Sequence, residues 1–313
     1  MTPSLRHQLL ATLVPRLRGA GDLDVSSGVA AAATVERDRV SRRQEGLDRS
    51  LPTGLVPGLG RHWVARRELL AGTDGEFPAW VLEPRTGEAT STVYHLHGGG
   101  FVSPADSAHV RWATRVAGPL GARVVLPDYP LAPAHDWRSS RAALVEDVAR
   151  YAELGRVVLT GDSAGGGIAL AVAQELRDRG GPAPSRMVLV SPWVDLSEST
   201  PQTAALDGTD PWLHLSKLRL YASWWAGSDD PAELARPELT PALGDLDGLP
   251  PTLVLCGTRD LLHPGCRLLA DRAAAARWAM TYVERPDLIH VYPLLPGVPE
   301  ARTAGVAVAE FVR

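Results

Sequence analysis

The order of secondary-structure signals along the chain is the feature that most restricts its fold. From Trp63 onward, short runs rich in valine and leucine alternate with longer stretches of helical periodicity. Strands that alternate with helices usually pair in parallel, and the helices cover both faces of the sheet. We therefore predict an α/β protein with a mostly parallel sheet. The predicted strands are Trp63–Leu70, Trp80–Glu83, Thr92–Leu96, Arg123–Leu126, Val157–Thr160, Met187–Val190, Thr252–Cys256 and Met280–Val283, and the predicted helices are Ser107–Ala117, Ser139–Tyr151, Gly166–Arg179, Gly265–Ala276 and Glu300–Val312.

Two segments fall outside this alternation. Residues 1–60 form a helical head that ends in a Gly/Pro-rich stretch, and residues 200–228 form an insertion that we predict to be helical. In the head, leucines recur every four residues and predict one face of an amphipathic helix that packs on the protein, with docking on a membrane surface as the alternative. These leucines are Leu5, Leu9, Leu13 and Leu17.

The second half of the head, Ala30–Arg49, again has a helical pattern, with a face of mixed charge that predicts a solvated surface. The charged residues of this face are Glu36, Arg37, Asp38, Arg39, Arg42 and Arg43.

The most informative motif is the G-x-S-x-G sequence that runs from Gly161 to Gly165. It lies between a predicted strand and a predicted helix, which is the context in which this motif presents a nucleophilic serine. Side chains two residues before and after the serine would collide in so sharp a turn, so glycines occupy those positions. We predict that Ser163 is the nucleophile.

A second glycine-rich motif, His97-Gly-Gly-Gly, directly follows the strand Thr92–Leu96. Consecutive glycines leave backbone N–H groups free, and acyl transfer needs such donors where the carbonyl oxygen becomes negative. We predict that Gly99, Gly100 and Ala164 form this oxyanion hole. A phosphate loop is disfavoured, because the Gly-Lys-Ser/Thr ending is absent. His95 and His97 lie two residues apart without a nearby third ligand, so we expect His97 to shape the loop rather than bind metal.

A serine nucleophile needs a histidine that takes its proton, and the acid and the histidine follow the serine in hydrolases with this motif. Of the histidines after Ser163, His214 lies in the insertion and His263 follows too closely on the best acid. His290, after the last predicted strand, is the predicted base.

The acid should follow a strand at the carboxyl edge of the sheet, where the sites of open α/β sheets collect. Asp260 follows the strand Thr252–Cys256, whereas the rivals Asp245, Asp247 and Asp271 follow no strand. Asp287 lies three residues before His290 and is expected in a loop. We predict that Asp260 orients His290.

Composition restricts the mechanisms and partners that the chain can have. Lys217 is the single lysine among 32 basic residues, which argues against Schiff-base or Ser–Lys catalysis. The net charge of −4 gives no reason to expect nucleic acid as a partner. The two cysteines, Cys256 and Cys266, show no metal-ligand spacing, and no apolar run reaches membrane-spanning length. We expect a cytoplasmic location without a membrane partner, and a homodimer remains open.

Together these motifs resemble the hormone-sensitive-lipase-like carboxylesterases of the α/β-hydrolase superfamily. The resemblance also rests on Asp128-Tyr-Pro-Leu-Ala-Pro and Ser191-Pro-Trp-Val-Asp-Leu, the latter similar to members that act on small lactones and terpene-derived esters. It implies an eight-stranded sheet flanked by helices in residues 61–313, with a cap built from residues 1–60 and 200–228. The family's mechanism requires neither metal nor cofactor.

The expected function is serine-dependent hydrolysis of small apolar carboxylic esters or lactones. The alternatives are a deacetylase or amidase of a secondary metabolite and a non-catalytic small-molecule binding protein. Ligand pockets are mostly apolar. The candidate lining residues are Phe101, Trp212, Trp224 and Trp225. For the three tryptophans, packing of the cap onto the body is the alternative role.

Overall fold

The computed structural model describes residues 2–17 and 21–313. Its strands are β1 (Trp63–Gly72), β2 (Gly75–Pro84), β3 (Ser91–Leu96), β4 (Arg123–Pro127), β5 (Arg156–Asp162), β6 (Arg186–Val190), β7 (Thr252–Arg259) and β8 (Met280–Ile289). Its helices are α1 (Leu5–Leu17), α2 (Val29–Glu45), α3 (Leu59–His62), α4 (Ser107–Ala117), α5 (Arg138–Leu154), α6 (Ser163–Arg179), α7 (Gln202–Ala205), α8 (Leu215–Ala226), α9 (Pro231–Leu234), α10 (His263–Ala275) and α11 (Pro299–Phe311).

The eight strands form one sheet in the order β1-β2-β4-β3-β5-β6-β7-β8. Strand β2 is antiparallel to both of its neighbours, and the other neighbouring strands run parallel. The exchanged order of β3 and β4 places β5 and its following turn near the middle of the sheet. The predicted mostly parallel eight-stranded α/β sheet is therefore confirmed.

The sheet separates two apolar cores, because successive residues of a strand point to opposite faces. On β3, Val93 belongs to an apolar cluster with residues of α4 and α11 on one face, and Tyr94 belongs to a cluster with residues of α5, α6 and α10 on the other. Both residues are fully buried, as are most of the central strand residues. Strands covered on both faces read as continuous apolar runs, which is why the sequence signal for them is clear.

The packed face predicted for the first helix is wrong, although the helix itself is present. Leu5 and Leu9 are 83% and 60% exposed, and the buried residues of α1 are His7, Ala11 and Val14. Nε2 of His7 accepts a hydrogen bond from the backbone N–H of Ile289 at 3.2 Å, which turns this side of α1 toward the end of β8. The side chain of Leu17 lies outside the described part of the chain.

The last strand extends further than its apolar run. Strand β8 continues to Ile289 with an irregularity in its pairing to β7, so Asp287, expected in a loop, lies within the strand. Asp287 adopts a left-handed conformation with φ of 59°, and its N–H donates to Thr258 Oγ1. The exposed residues Arg285–Asp287 interrupt the apolar pattern of the strand, so the sequence does not reveal its continuation to the buried Leu288 and Ile289.

None of the helices over residues 2–17 and 21–313 combines the length and the apolar character that crossing a membrane requires.

Candidate active site

The turn between β5 and α6 presents Ser163. Its backbone has φ of 50°, and the residue is 7% exposed. A Cβ on Gly161 would lie 2.4 Å from the carbonyl oxygen of Gly165, and one on Gly165 would lie 2.1 Å from that of Leu96. Only glycine therefore fits on either side of the serine, and the turn holds the hydroxyl at the carboxyl edge of the sheet.

Ser163, His290 and Asp260 form one hydrogen-bonded chain. Nε2 of His290 lies 3.0 Å from Oγ of Ser163, and its Nδ1 lies 3.0 Å from Oδ2 of Asp260. The histidine directly follows β8 and the aspartate directly follows β7, so two neighbouring parallel strands deliver them. The structure thus brings the three predicted residues together in the geometry by which an imidazole can take a proton from a hydroxyl.

Burial and the neighbouring negative charge have opposite effects on the pKa of His290. Its burial, with 3% of the surface exposed, lowers the pKa, but the charge and hydrogen bond of Asp260 outweigh this and raise the pKa above 6.5. Asp260 is fully buried and also accepts the N–H of Leu262 at 2.9 Å. Although burial favours its neutral form, these partners keep the pKa of Asp260 below its ordinary value.

Backbone donors lie beside the serine. Gly99 and Gly100 adopt φ of 120° and 61°, and a Cβ on Gly99 would lie 2.7 Å from the oxygen of Ser103. No acceptor for either N–H group is found within the described residues. Ala164 begins the first turn of α6, where N–H groups have no partner within the helix. The three predicted oxyanion donors thus belong to the two segments that meet at Ser163.

Asp162 connects these two segments. Its Oδ1 accepts the N–H of Gly98 at 3.1 Å and lies 3.3 Å from Nε2 of His95, and its Oδ2 lies 3.5 Å from Nε2 of His109. Burial alone would raise the pKa of Asp162, but the two imidazoles hold it well below its ordinary value. The carboxylate therefore fixes the glycine loop to the serine turn.

His97 shapes the same loop. Its Nδ1 lies 2.7 Å from the carbonyl oxygen of Gly98, and its ring stacks on Tyr129 with centroids 4.3 Å apart. His109, which no sequence motif singled out, packs beside both His95 and His97. Among the described residues, no group of three or more histidine, cysteine or acidic side chains has an arrangement that could hold a metal ion.

A cavity of about 380 Å³ opens above Ser163 and His290. A volume of this size is typical of sites for small molecules. Gly99, Gly100 and Trp212 line it, and the Trp212 ring stands edge-on to His290 with centroids 5.5 Å apart. Residues of α1, α2 and α8 complete the walls, so both segments predicted to form a cap contribute to the cavity.

The family of proteins described as having the alpha/beta hydrolase fold matches residues 93–294. An acetyl-hydrolase of Streptomyces hygroscopicus is 35% identical over 243 residues, which are 75% of this chain and 78% of that protein. An esterase of the bacterial hormone-sensitive lipase family has a solved structure with a TM-score of 0.75 and 27% identity, covering 100% of this chain and 99% of that one. The chain belongs to the hormone-sensitive-lipase-like α/β-hydrolases.

Other similar proteins are also named esterases. An esterase of Acinetobacter venetianus is 28% identical over 71% of this chain and 75% of its own length. A hyperthermophilic esterase from the archaeon Pyrobaculum calidifontis has a solved structure with a TM-score of 0.72 and 25% identity, covering 90% of this chain and 94% of that one. The chain is therefore a hydrolase of the carboxylesterase type.

The hydrolase contains a further buried carboxylate near Asp260 that sequence reasoning missed. Asp210 is 3% exposed, and its Oδ2 accepts the N–H of Leu261, the residue after Asp260, at 2.8 Å. Burial and the nearby charge of Asp260 raise the pKa of Asp210 to about 6. Asp210 lies in the insertion and follows no strand, so no pattern in the sequence distinguishes it from a surface acid.

The prediction that Phe101, Trp224 and Trp225 line the pocket of the hydrolase is wrong, and only Trp212 of the four does so. Phe101 is 1% exposed and lies between the rings of Trp193 and Trp225, with centroids 5.1 and 4.6 Å away. Trp224 is 8% exposed and packs on Tyr221. Tyr221 and Trp224 both belong to α8, so the contact of Trp225 with Phe101 is the one that joins this helix to the body. Large aromatic surfaces favour such burial between two packed layers.

The prediction that the charged face of α2 is exposed to solvent is also wrong in part. Glu36 is 5% exposed, and both its oxygens accept hydrogen bonds from Arg39, at 2.7 and 2.5 Å. Tyr221 of α8 also donates to Glu36, and Lys217 lies 3.7 Å from it. Lys217, the single lysine of the chain, lines the cavity of the hydrolase.

Proposed function

We propose that the hydrolase cleaves small carboxylic esters or lactones through an acyl-enzyme. The observation that carries this proposal is the position of His290, 3.0 Å from both Ser163 Oγ and Asp260 Oδ2, at the floor of a small-molecule cavity. Ser163 attacks the ester carbonyl while His290 takes its proton and then passes it to the leaving alcohol. Water, activated by His290, releases the acid and restores the serine.

Charge that develops on the carbonyl oxygen would be stabilised by the N–H groups of Gly99, Gly100 and Ala164. Such donors contribute most when they are fixed before the reaction begins. The hydrogen bond from Gly98 to Asp162 and the left-handed glycines support this, since they hold the loop against the serine turn. Asp260 would keep the His290 tautomer that presents a free Nε2 to the serine.

Turnover of para-nitrophenyl esters from acetate to octanoate tests the proposal. The wild type is expected to favour short chains, and Ser163→Ala is expected to lower kcat by at least about 10⁴-fold because no other nucleophile replaces the hydroxyl. Ser50→Ala, which removes an exposed hydroxyl that does not line the cavity, serves as the control. Absence of turnover by the wild type, or equal turnover by Ser163→Ala, would favour the non-catalytic binding protein.

Removal of acetyl groups is the second candidate function. The name of the Streptomyces hygroscopicus relative, acetyl-hydrolase, favours it. A comparison of para-nitrophenyl acetate with para-nitroacetanilide separates ester from amide cleavage, because both substrates transfer the same acetyl group. Acetate preferred over butyrate would support deacetylation, and comparable cleavage of the anilide would identify an amidase.

A further inference from the structure

One wall of the cavity carries three cationic side chains. Helices α2 and α8 contribute Arg39, Arg43 and Lys217 to the lining, together with apolar residues such as Val40 and Leu218. Arg39 and Arg43 are four residues apart and so lie on the same side of α2. A cavity meant only for an apolar ester has no need of cations in its wall, because their desolvation opposes the binding of an apolar group.

Nearby acids neutralise part of this charge. Glu36, bound by Arg39 and close to Lys217, lies behind the wall, and it is not among the lining residues. Asp22, which accepts a hydrogen bond from Ser216, also acts on Lys217. Three cations therefore face two carboxylates, and one positive charge remains in excess.

The remaining acids of the cavity lie at the serine turn and at the start of α4. Asp162 pairs with His95 and His109, and Asp106 with His109, on elements outside the wall formed by α2 and α8. Burial lowers the pKa of His95, whereas the neighbouring carboxylates raise the pKa of His109 to about 10, so one cation faces these two acids. The positive excess is therefore confined to the wall formed by α2 and α8.

Arg43 is the cation that carries the excess. It is exposed, it lines the cavity, and no ion pair of its guanidinium is found within residues 2–17 and 21–313. Lys217, by contrast, has only 14% of its side chain exposed. Burial lowers the pKa of Lys217 despite the charge of Glu36, so an additional anion beside it would stabilise the ammonium form.

The charged wall borders directly on the reacting centre. A Cβ on Gly100 would lie 3.2 Å from Cδ2 of Tyr221, one turn after Lys217 on α8. Nε2 of Gln44, the residue after Arg43, donates to the carbonyl oxygens of Val102 and Ala132 at 2.9 and 2.8 Å. Both helices are therefore anchored to the loop that follows the predicted oxyanion donors.

We propose that the substrate is an ester that bears one anionic group, such as a carboxylate, bound by Arg43 and Lys217 while its carbonyl lies at Ser163. This inference rests on the proposed hydrolysis and specifies its substrate class. A single negative charge matches the single positive charge in excess at the wall formed by α2 and α8. Pairing in the partly desolvated cavity is stronger than in water, because the effective dielectric constant is lower.

Two matched pairs of esters test the proposal, one with the anionic group on the acyl side of the scissile bond and one with it on the alcohol side. The acyl-side pair is the para-nitrophenyl monoester of glutarate and its neutral amide, para-nitrophenyl glutaramate. The alcohol-side pair is para-acetoxyphenylacetate and para-acetoxyphenylacetamide. In at least one pair, kcat/KM of the wild type is expected to be about tenfold higher for the charged ester, and the ratio is expected to fall with added salt.

Variants identify the cations that cause the preference for the charged ester. Arg43→Gln is expected to lower the charged-to-neutral ratio about threefold and Lys217→Met about tenfold, since the lysine is the more buried cation. Arg43→Lys keeps the charge and should preserve the ratio. Arg42→Gln removes the same charge from the neighbouring exposed residue, which does not line the cavity, and is the matched control. A wild-type ratio near one in both pairs, or an equal effect of Arg42→Gln, overturns the proposal.

Binding separates this inference from the proposed hydrolysis. Calorimetric titration of Ser163→Ala with each ester is expected to show tighter binding of the charged member, and the difference should shrink in Ser163→Ala/Arg43→Gln. If the wild type cleaves none of the four esters, hydrolysis is rejected, and this titration still decides the anion site. Equal Kd values for the charged and neutral members would reject the anion site whether or not hydrolysis occurs.

Discussion

His290 is the residue whose charge state decides whether the proposed reaction can begin. It acts as a base only when neutral, and Asp260 together with Asp210 raises its pKa above 6.5 against the effect of burial. A raised pKa means that the imidazole stays protonated to a higher pH than in water. The inactive, protonated form therefore extends further toward neutrality than an isolated histidine would allow.

The pH dependence of kcat/KM should show this directly. We expect an acid limb with a midpoint above pH 6.5, where the fall in activity follows protonation of His290 in the free enzyme. Asp210→Asn removes one of the charges that raise this pKa, so its midpoint should lie lower than that of the wild type. A rate independent of pH from 5 to 8, or a midpoint unmoved in Asp210→Asn, would contradict this assignment.

Which single residues could be predicted from the sequence depends on whether the chemistry fixes their place along the chain. Ser163 needs a glycine on each side, and Asp260 and His290 must follow strands, so motif and order suffice to select them. Lys217 and Glu36 follow no such rule. They come together only because α2 and α8 pack against each other. A buried contact between residues so far apart along the chain produces no local pattern in the sequence.

The serine turn shows what one element contributes to the site. Helix α6 starts at Ser163 itself, and the residues on either side approach the neighbouring backbone as closely as glycine allows. The predicted helix begins later, at Gly166, directly after the G-x-S-x-G motif, whose last residue, Gly165, is a poor helix former by intrinsic propensity. Tertiary packing against β3 overrides that propensity here.

Gly165→Ala should break this packing. Its added methyl would lie 2.1 Å from the carbonyl oxygen of Leu96 and 2.4 Å from that of His97, so backbone must move. We expect the free energy of unfolding in urea to fall by about 1–3 kcal/mol and esterase activity to be lost. Gly118→Ala, whose methyl would meet no atom within 4 Å, is the control and should change stability by less than about 0.5 kcal/mol. Equal stability of the two variants would show that the turn has room to relax.

Elements whose burial follows their period are predicted well, and elements on the surface are not. The strands β3 to β7 follow from apolar runs, since the sheet is covered on both faces there. The outer strands β1, β2 and β8 are more exposed, and the predicted strands are shorter than the observed ones. The packed face of α1 was not, because a histidine and an alanine are buried where leucines are exposed. A polar contact to Ile289 decides that orientation, and hydrophobic periodicity carries no information about it.

At the scale of the whole molecule, Glu36 links the N-terminal head to the insertion. It receives hydrogen bonds from Arg39 within α2 and from Tyr221 in α8, across a separation of 185 residues along the chain. Burial opposes the charged form, but these partners lower the pKa of Glu36 below 4.5. The assignment of residues 1–60 and 200–228 to one cap remains a prediction that this contact supports.

Glu36→Gln should weaken that link. We expect the free energy of unfolding to fall by about 2 kcal/mol near neutral pH, because a charged acceptor of several hydrogen bonds is lost. A group with a lowered pKa stabilises the fold above its unfolded pKa, so the difference from the wild type should shrink as pH falls below 4.5. Glu45→Gln, an exposed acid of the same helix, is the control. A difference that persists unchanged at low pH would show that the charge of Glu36 is not responsible.

The ring stack around Phe101 makes α8 a support for the loop beneath it. Phe101 follows Gly100 and adopts φ of 64°, a conformation that a bulky residue keeps only when its surroundings enforce it. One of the two rings that enclose it, Trp225, belongs to α8. Undocking of this helix would release the phenylalanine, and the loop with it, while the sheet remained folded. On heating, catalytic activity would then be lost at a lower temperature than the folded sheet.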